Sequence, residues 1–427
     1  MSMDEQIEIR PAARVRGSIR PPGSKSITNR ALVCAALGDG RSTLTGALDS
    51  DDTRVMIDSL GKLGIQVDTS ENRETLIVFG KSGKIPATDA DLFIGNSGTT
   101  VRFLTAMVSV GNGRYRLDGV ERMRQRPIGH LISALRELGV DLHSEFDTDC
   151  PPVLVNASGI PGGDIGVRGD ISSQFLSGLL MALPCAQSMS TLTMDGPLVS
   201  KPYVDMTLKV MESFDVKAET KDFTRFTIPG SQTYRAREYA IEPDASAASY
   251  FWAAAAICKS DMTVLGLNKN ALQGDVRFCE CLQQMGCSVE YGADSIRVQG
   301  GALKGIDVDM NHISDTVQTL SAVALFADGP TTIRGVAHNR HKETDRIGDL
   351  ACELRKFGAT VDEREDGLTI HPGELKPAVV ETYDDHRMAM SLSLPGLRIP
   401  GVIIKDPSCT GKTYPKFFTD LESICEF

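Results

Sequence analysis

The 427-residue chain has no run of about 18 apolar residues, the length a membrane-spanning helix needs. Its most apolar stretch, Ala245 to Ile257, is too short to cross a bilayer. The opening residues, MSMDEQIEIR, carry acids where a secretory leader wants bases, and they lack an apolar centre. The ten cysteines are scattered. Their one cluster, Cys279, Cys281 and Cys287, fits no zinc-ligand spacing, so free thiols in a reducing, cytoplasmic compartment are expected. There is no dinucleotide-binding glycine fingerprint and no nucleophilic triad. The segment CTGKT (409–413) fails as a phosphate-binding P-loop, because Asp406 stands where the first glycine is required. A net charge of −11 argues against non-specific nucleic-acid binding, although it leaves room for a locally basic anion pocket.

What the chain does have is a repeat, six copies long. Each copy opens on a helix of small and apolar residues, passes through a strand and a polar loop, and reaches a second helix that ends in a tight turn. The second-helix endings read LGKLGIQVD (60–68), LRELGVDLH (135–143), VMESFDVKA (210–218), LQQMGCSVE (282–290) and LRKFGATVD (354–362). Their turn residues, Gly64, Gly139, Asp215, Gly286 and Gly358, are spaced 75, 76, 71 and 72 apart. The first helices begin near Lys25, Ser97, Ser172, Asp244, Asp315 and Asp385, at steps of 72, 75, 72, 71 and 70. The sixth copy is expected to be closed by the C-terminal helix and by N-terminal strand residues. A chain this long exceeds the roughly 250–300 residues at which one core stops growing, so the six copies divide as three and three. Boundaries near residues 23 and 238 give one domain over 24–238 and a second from 1–23 plus 239–427, with a ligand cleft between them. Six helix N-termini at equivalent places offer backbone N–H groups and partial positive charge to anions.

Chemistry-bearing residues gather at the repeat joints. PGSKSITNR (22–30) reads as a capped helix start with two solvated bases, or as an anion site built on Lys25 and Arg30. In GNSGTTVR (95–102), Gly98 is a plain turn or a place where backbone meets a ligand. RMRQRPI (122–128) sets three arginines before a proline that should start a helix; they form a solvated face or a bidentate anion site. SSQF (172–175) and SKPY (200–203) supply hydroxyls, an amide and a phenol, or a helix cap and a structural tyrosine. In NRHKETDR (339–346), Lys342 and Arg346 should share one helix face beside Glu343, a pattern that equally suits a surface ion-pair helix. DDHRMAM (384–390) invites a metal reading, but no second histidine-bearing stretch completes a ligand set. Asp315 starts a helix, where an acid is ordinarily a cap. Seven bases (Lys25, Arg30, Arg126, Lys342, Arg346, Arg387 and Lys412) against the two acids Asp315 and Glu343 suit a pair of anionic substrates.

In this order, PGSKS-x-x-NR, GNSGTT-x-R, R-x-R-P-I, SSQFL, SKPY, KETDR, DDHRMAM and DPSCTGKTYP closely resemble the EPSP synthases, which are enolpyruvyl transferases. The resemblance runs from about Ile7 to the C-terminus. It implies an α/β fold of two similar domains, each of three βαβαββ units around a pseudo-threefold axis, an inside-out α/β barrel. It also implies transfer of the enolpyruvyl group of phosphoenolpyruvate to shikimate 3-phosphate, by a monomer that needs no cofactor or metal. By the same resemblance, Lys25, Ser26, Arg30, Ser172, Ser173, Gln174, Ser200, Tyr203, Asp315, Asn339 and Lys342 bind shikimate 3-phosphate. Lys25, Asn96, Gly98, Arg126, Gln174, Arg346, Arg387 and Lys412 bind phosphoenolpyruvate. Asp315 and Glu343 are implied as base and acid, with Lys25 also catalytic. A sister transferase acting on a UDP-sugar carries a reactive loop cysteine, absent from RMRQRP; a non-catalytic anion-binding protein would have no reason to keep both acids. One departure stands out: Phe103 occupies a place where the family usually has proline, which bears on sensitivity to the inhibitor glyphosate. Gly98 should leave that inhibitor room, and a methyl there should exclude it while sparing the smaller natural substrate.

Overall fold

A computed structural model describes residues 5–427. The chain forms two compact units, Gly23–Ile241 and Met1–Pro22 with Glu242–Phe427. Strand pairing sets these limits. Glu238–Ala240 runs parallel to Arg41–Thr45, which carries the first unit past residue 238. Ser18–Ile19 runs parallel to Asp261–Leu265, which ties the N-terminal segment into the second unit.

Gly23–Ile241 contains three four-stranded sheets. One has the order Glu238–Ala240, Arg41–Thr45, Thr75–Phe79, Val67–Thr69. The next is Asp89–Phe93, Asn112–Asp118, Val153–Ser158, Asp141–Ser144, and the third is Gly163–Arg168, Ser190–Asp195, Arg225–Ile228, Glu219–Lys221. Each opens with a parallel pair and closes with two antiparallel ones. Register places apolar partners inward: Leu44 lies opposite Leu76 and Val155 opposite Tyr115, all buried. The second unit repeats the pattern twice, in the sheets built around Asp261–Leu265 and around Thr331–Arg334. Its third sheet has three strands: Gln6–Glu8, Ile403–Lys405 and Val379–Val380. The sixth copy is thus completed by an N-terminal strand, and Arg14–Val15 further pairs with Cys425–Glu426 after the last helix.

The first helix of each copy is the buried one. Lys25–Ala36, Gly98–Val108 and Ser173–Ala182 are enclosed almost throughout, as are Ala245–Ile257, Val317–Ala324 and His386–Ser393. Small residues let them meet. At Gly178 a Cβ would come within 2.9 Å of the Arg102 carbonyl, so the Ser173 helix can lie close to the Gly98 helix only with glycine there. In the second unit the three helices touch through hydroxyls, Ser249 to Thr319 at 3.1 Å and Thr319 to Ser391 at 3.2 Å. The five turn residues that close the second helices all take positive φ, from 61° at Asp215 to 109° at Gly286. This is the left-handed C-cap that glycine favours and aspartate tolerates.

Five of the six first helices are capped by the side chain expected to start them, or by its neighbour. Ser24, Ser97, Ser172, Asp244 and Asp385 each accept a backbone N–H from the first turn. The fifth copy differs. Asp315 lies in a 3-10 segment, Asn311–Thr316, and the α-helix begins only at Val317. All ten cysteines are free; burial raises the thiols of those enclosed, Cys281 to about 12. Among the described residues no helix is long and apolar enough to cross a membrane.

Candidate active site

In Gly23–Ile241 the polar residues gather at the N-termini of the three buried helices. Lys25, at the first position of its helix, is nearly enclosed and lies 3.6 Å from Asp52. One turn on, Arg30 points inward and is only 2% exposed. Its Nε donates to Thr207 Oγ1 at 2.7 Å and its Nη1 to the Ser26 carbonyl at 2.9 Å. Its Nη2 donates to Ser177 Oγ at 3.3 Å and to the Tyr203 carbonyl at 3.1 Å. Burial lowers this guanidinium to about 10, against a smaller upward pull from Tyr203 and Cys34. The ring of Phe103 lies 5.1 Å from its Cζ.

A second cluster sits at the starts of the Gly98 and Ser173 helices. Arg126 donates from Nη1 to the Asn96 carbonyl at 2.9 Å and to Asn96 Oδ1 at 3.2 Å. Arg102 donates to Gln174 Oε1 at 2.7 Å and to the Pro127 carbonyl at 3.2 Å, with its Cζ 5.3 Å from the Phe175 ring. Gln174 Nε2 reaches Thr99 Oγ1 at 3.3 Å. The three arginines of RMRQRPI do not act as a set. Arg124 grips Asp118 with two bonds at the surface, Arg122 reaches Gln125, and Arg126 alone is buried, at 3% exposure. Nor does Pro127 begin the helix, which starts at Gly129. The space beside Gly98 is not open: a Cβ there would strike Arg126 Nη2 and come within 2.7 Å of Arg102 Nη1. The remaining hydroxyls are placed by backbone geometry. Ser172 caps its helix and Ser173 follows it. Ser200 precedes the Lys201–Ser213 helix at a left-handed φ of 54°, two residues before Pro202 and three before Tyr203.

In the second unit all seven expected residues join one network. Asp315 Oδ2 accepts from Arg387 Nη2 at 2.8 Å, and its Oδ1 lies 3.4 Å from Arg346 Nη1 and 3.9 Å from Lys342 Nζ. Glu343 Oε2 is 2.8 Å from Arg346 Nη2, and its Oε1 is 3.5 Å from Lys412 Nζ. Asn339 Nδ2 donates to the Ser314 carbonyl at 3.0 Å, next to Asp315. The expected helix face for Lys342 and Arg346 is absent. Residues 342–346 form an irregular turn, and the helix begins at Gly348. The turn frees Arg346 from helical spacing, so its planar fork reaches Asp315, Glu343 and Asp385 at once.

Asp385 is the partner that sequence reasoning missed. It is fully buried, caps its own helix, and accepts from Arg346 Nε at 2.7 Å and Nη2 at 3.0 Å. Burial alone would lower the Arg346 guanidinium, but Asp385, Glu343 and Asp315 together outweigh it and the group is raised above its ordinary value. Arg102 and Asp52 were missed as well. Arg102 ended a motif already singled out, whereas nothing local marks Asp52 as the partner of Lys25. His338, near Asp315, is lowered to about 3, chiefly by burial and then by Lys342, so it is neutral at neutral pH. Among the described residues no group of three or more His, Cys, Asp or Glu is placed to hold a metal ion.

The arrangement offers buried cations for anions in one unit, and in the other a pair of carboxylates fixed by shared cations. Comparison with known proteins agrees with what such an arrangement can do. The family described as EPSP synthase (3-phosphoshikimate 1-carboxyvinyltransferase) matches residues 9–421. A 3-phosphoshikimate 1-carboxyvinyltransferase of Marinomonas sp. (strain MWYL1) is 46% identical over 420 residues, 98% of this chain and 99% of that one. One from Nostoc sp. (strain PCC 7120 / SAG 25.82 / UTEX 2576) is 47% identical over 406 residues, 95% of this chain and 96% of that one. Among solved structures, EPSP synthase from Acinetobacter baumannii superposes with a TM-score of 0.82 at 25% identity, covering 98% of each chain. Motif order, fold and relatives converge: the chain belongs to the EPSP synthase family of enolpyruvyl transferases.

Proposed function

We propose that the chain transfers the enolpyruvyl group of phosphoenolpyruvate to the 5-hydroxyl of shikimate 3-phosphate and releases inorganic phosphate, a step of aromatic amino-acid biosynthesis. The observation that carries this reading is Arg346, whose two Nη atoms lie 3.4 Å from Asp315 and 2.8 Å from Glu343. One guanidinium thereby fixes two carboxylates relative to each other, as an acid and a base serving the two adjacent carbons of one double bond require.

In this mechanism Glu343 protonates the methylene carbon of phosphoenolpyruvate, which leaves a cationic centre at the carbon bearing the phosphate. The 5-hydroxyl attacks that centre and its proton passes to Asp315, giving a tetrahedral intermediate. Glu343 then takes a proton back from the methyl group as the carbon–oxygen bond to phosphate breaks. Arg346 and Lys412 hold Glu343 as a carboxylate until an anionic substrate shares those cations. The arriving charge weakens their hold and favours the protonated acid. Arg126, Gly98, Asn96, Lys25 and Gln174, with Arg346, Arg387 and Lys412, receive phosphoenolpyruvate. Lys25, Ser26, Arg30, Ser172, Ser173, Gln174, Ser200 and Tyr203, with Asn339 and Lys342, receive shikimate 3-phosphate. Both sets serve one pair of substrates.

Phosphate release tests the reading. The chain should release phosphate from phosphoenolpyruvate with shikimate 3-phosphate and not with UDP-N-acetylglucosamine. Release with the UDP-sugar alone would assign it to the sister activity, and release with neither would leave an anion-binding protein.

A further inference from the structure

Arg30 poses a physical problem that its hydrogen bonds solve only in part. Four of its five N–H groups are used within the unit, on Thr207, Ser26, Ser177 and Tyr203, and one on Nη1 remains. Those bonds all run from N–H groups, which lie in the plane of a guanidinium, and so act mainly within that plane. They do little to stop it tipping out of plane. A carboxylate would hold it firmly, as Asp385 holds Arg346, but would also offset part of the charge that an anionic substrate meets. An aromatic face avoids that conflict. Its quadrupole attracts a cation without adding a countercharge, and the attraction is greater where water is excluded. Phe103 supplies such a face. It is 1% exposed, on the Gly98–Val108 helix packed against the Lys25–Ala36 helix, and its ring centroid is 5.1 Å from Arg30 Cζ.

We propose that Phe103 is a positioning residue for shikimate 3-phosphate: its ring face holds the Arg30 guanidinium against tipping, so that the remaining Nη1 N–H meets the substrate in a fixed direction with its charge intact. The proposal rests on the function given above. It assigns Phe103 a role in binding one substrate and not the other, because Arg126, which receives phosphoenolpyruvate, is held instead by Asn96.

The test replaces Phe103 with mono-, di- and trifluorinated phenylalanines, which keep the ring's shape while draining its negative face. The KM for shikimate 3-phosphate should climb stepwise, by roughly three- to tenfold across the series. The KM for phosphoenolpyruvate and the melting temperature should stay near wild type. The rotation rate of the Arg30 guanidinium, followed by nitrogen-15 NMR, should rise in the same steps. The same series at Phe226, a buried ring elsewhere in this unit, should leave all of these unchanged. A flat KM for shikimate 3-phosphate, or equal rises for both substrates, would overturn the proposal. If the wild-type chain turned over neither acceptor, the proposed function would fall, while the rotation rate, which needs no substrate, would still decide whether Phe103 restrains Arg30.

Discussion

Two arginines, one in each half of the molecule, are buried to the same extent and held in opposite ways. Arg346 and Arg30 are each 2% exposed. Arg346 is gripped by the carboxylates of Asp385, Glu343 and Asp315 and is raised above its ordinary value. Arg30 is met by two hydroxyls, two carbonyls and a phenyl face, and burial lowers it to about 10. Their settings differ too: Arg30 lies on the buried first helix of its copy, whereas Arg346 lies in the irregular turn before the second helix of its own. The difference shows how one residue type can serve two tasks. On the proposed function, a guanidinium paired with several carboxylates serves as a frame for acid and base. A guanidinium held by neutral dipoles keeps its charge for an incoming anion. On the proposed function, the acid and base therefore belong to one half, whereas anion-binding residues are found in both.

The sharpest way to break this division is to remove the carboxylates that Arg346 frames. Asp315→Ala and Glu343→Ala should fold, bind both substrates within roughly tenfold of wild type, and lose about 10²–10⁴ in turnover. Neutral substitutions around Arg30, such as Thr207→Val, should change the KM for shikimate 3-phosphate and leave the rate at saturation close to wild type. Turnover near normal in either carboxylate variant would take that residue out of the mechanism.

The next effect is on stability. Asp385 is enclosed with Arg346, and deleting it takes away the partner that accepts from both Nε and Nη2, leaving the buried guanidinium with Glu343 at 2.8 Å and Asp315 at 3.4 Å. Asp385→Ala should therefore cost about 3–5 kcal/mol, seen as a large drop in the midpoint of the transition assigned to the Glu242–Phe427 unit. Removing one neutral acceptor from Arg30 by Thr207→Val should cost less, about 1–3 kcal/mol. Equal losses would mean that the two modes of holding an arginine are energetically alike.

That Asp385 had to be found in the structure shows where sequence reading stops. Five of the six helix starts and the five turns were legible because capping and left-handed turns are local: Ser97 and Ser172 bond within their own first turns, and Gly64 needs only its own φ. The six-copy repeat followed from their even spacing, and the make-up of each unit from the family resemblance. The charged motifs were legible as motifs, but their partners were not. Arg346 meets Asp385 across 39 residues, and DDHRMAM suggested a cap or a metal ligand there, not a partner for a distant arginine. Asp315 misleads for the opposite reason. It stands where an N-cap belongs, yet the backbone there is 3-10 and the carboxylate turns to Arg387. The expected helical face of Lys342 and Arg346 failed likewise, since a guanidinium reaching three carboxylates needs an irregular turn.

Within Gly23–Ile241, Arg126 should give a smaller and more selective effect. Arg126→Ala should weaken phosphoenolpyruvate by about 2–3 kcal/mol, measured as the KM for each substrate, with shikimate 3-phosphate much less affected. Gly98→Ala reaches the same side chain from the other side, because the new methyl strikes Arg126. It should exclude glyphosate, as the sequence suggested, but it should also raise the KM for phosphoenolpyruvate, at about 1–3 kcal/mol for an overpacked contact. Equal losses of both substrates in Arg126→Ala would place this arginine wrongly. An unchanged KM in Gly98→Ala would show that Arg126 yields freely.

The smallest effect concerns pH and separates the halves without any substrate. His338 belongs to the carboxylate half, and burial with the nearby Lys342 and His341 lowers it to about 3 from an unfolded value of 6.5, against the pull of Asp315. Between those values the unfolded chain binds a proton that the folded chain refuses. The stability tied to this histidine is therefore complete above pH 6.5 and is lost as pH falls toward 3, by at most about 1.4 kcal/mol per pH unit. Between pH 6.5 and pH 5 most carboxylates are still ionised, so this histidine should set the slope of the unit that contains it. Chemical denaturation at those two values should show wild type losing about 2 kcal/mol that His338→Gln does not lose. Hydrogen exchange should quicken first around residues 337–341. If His338→Gln kept the wild-type slope, or if exchange quickened first in Gly23–Ile241, the acid sensitivity would lie outside the Asp315–Arg346 network, and the contrast between the halves would rest on their arginines alone.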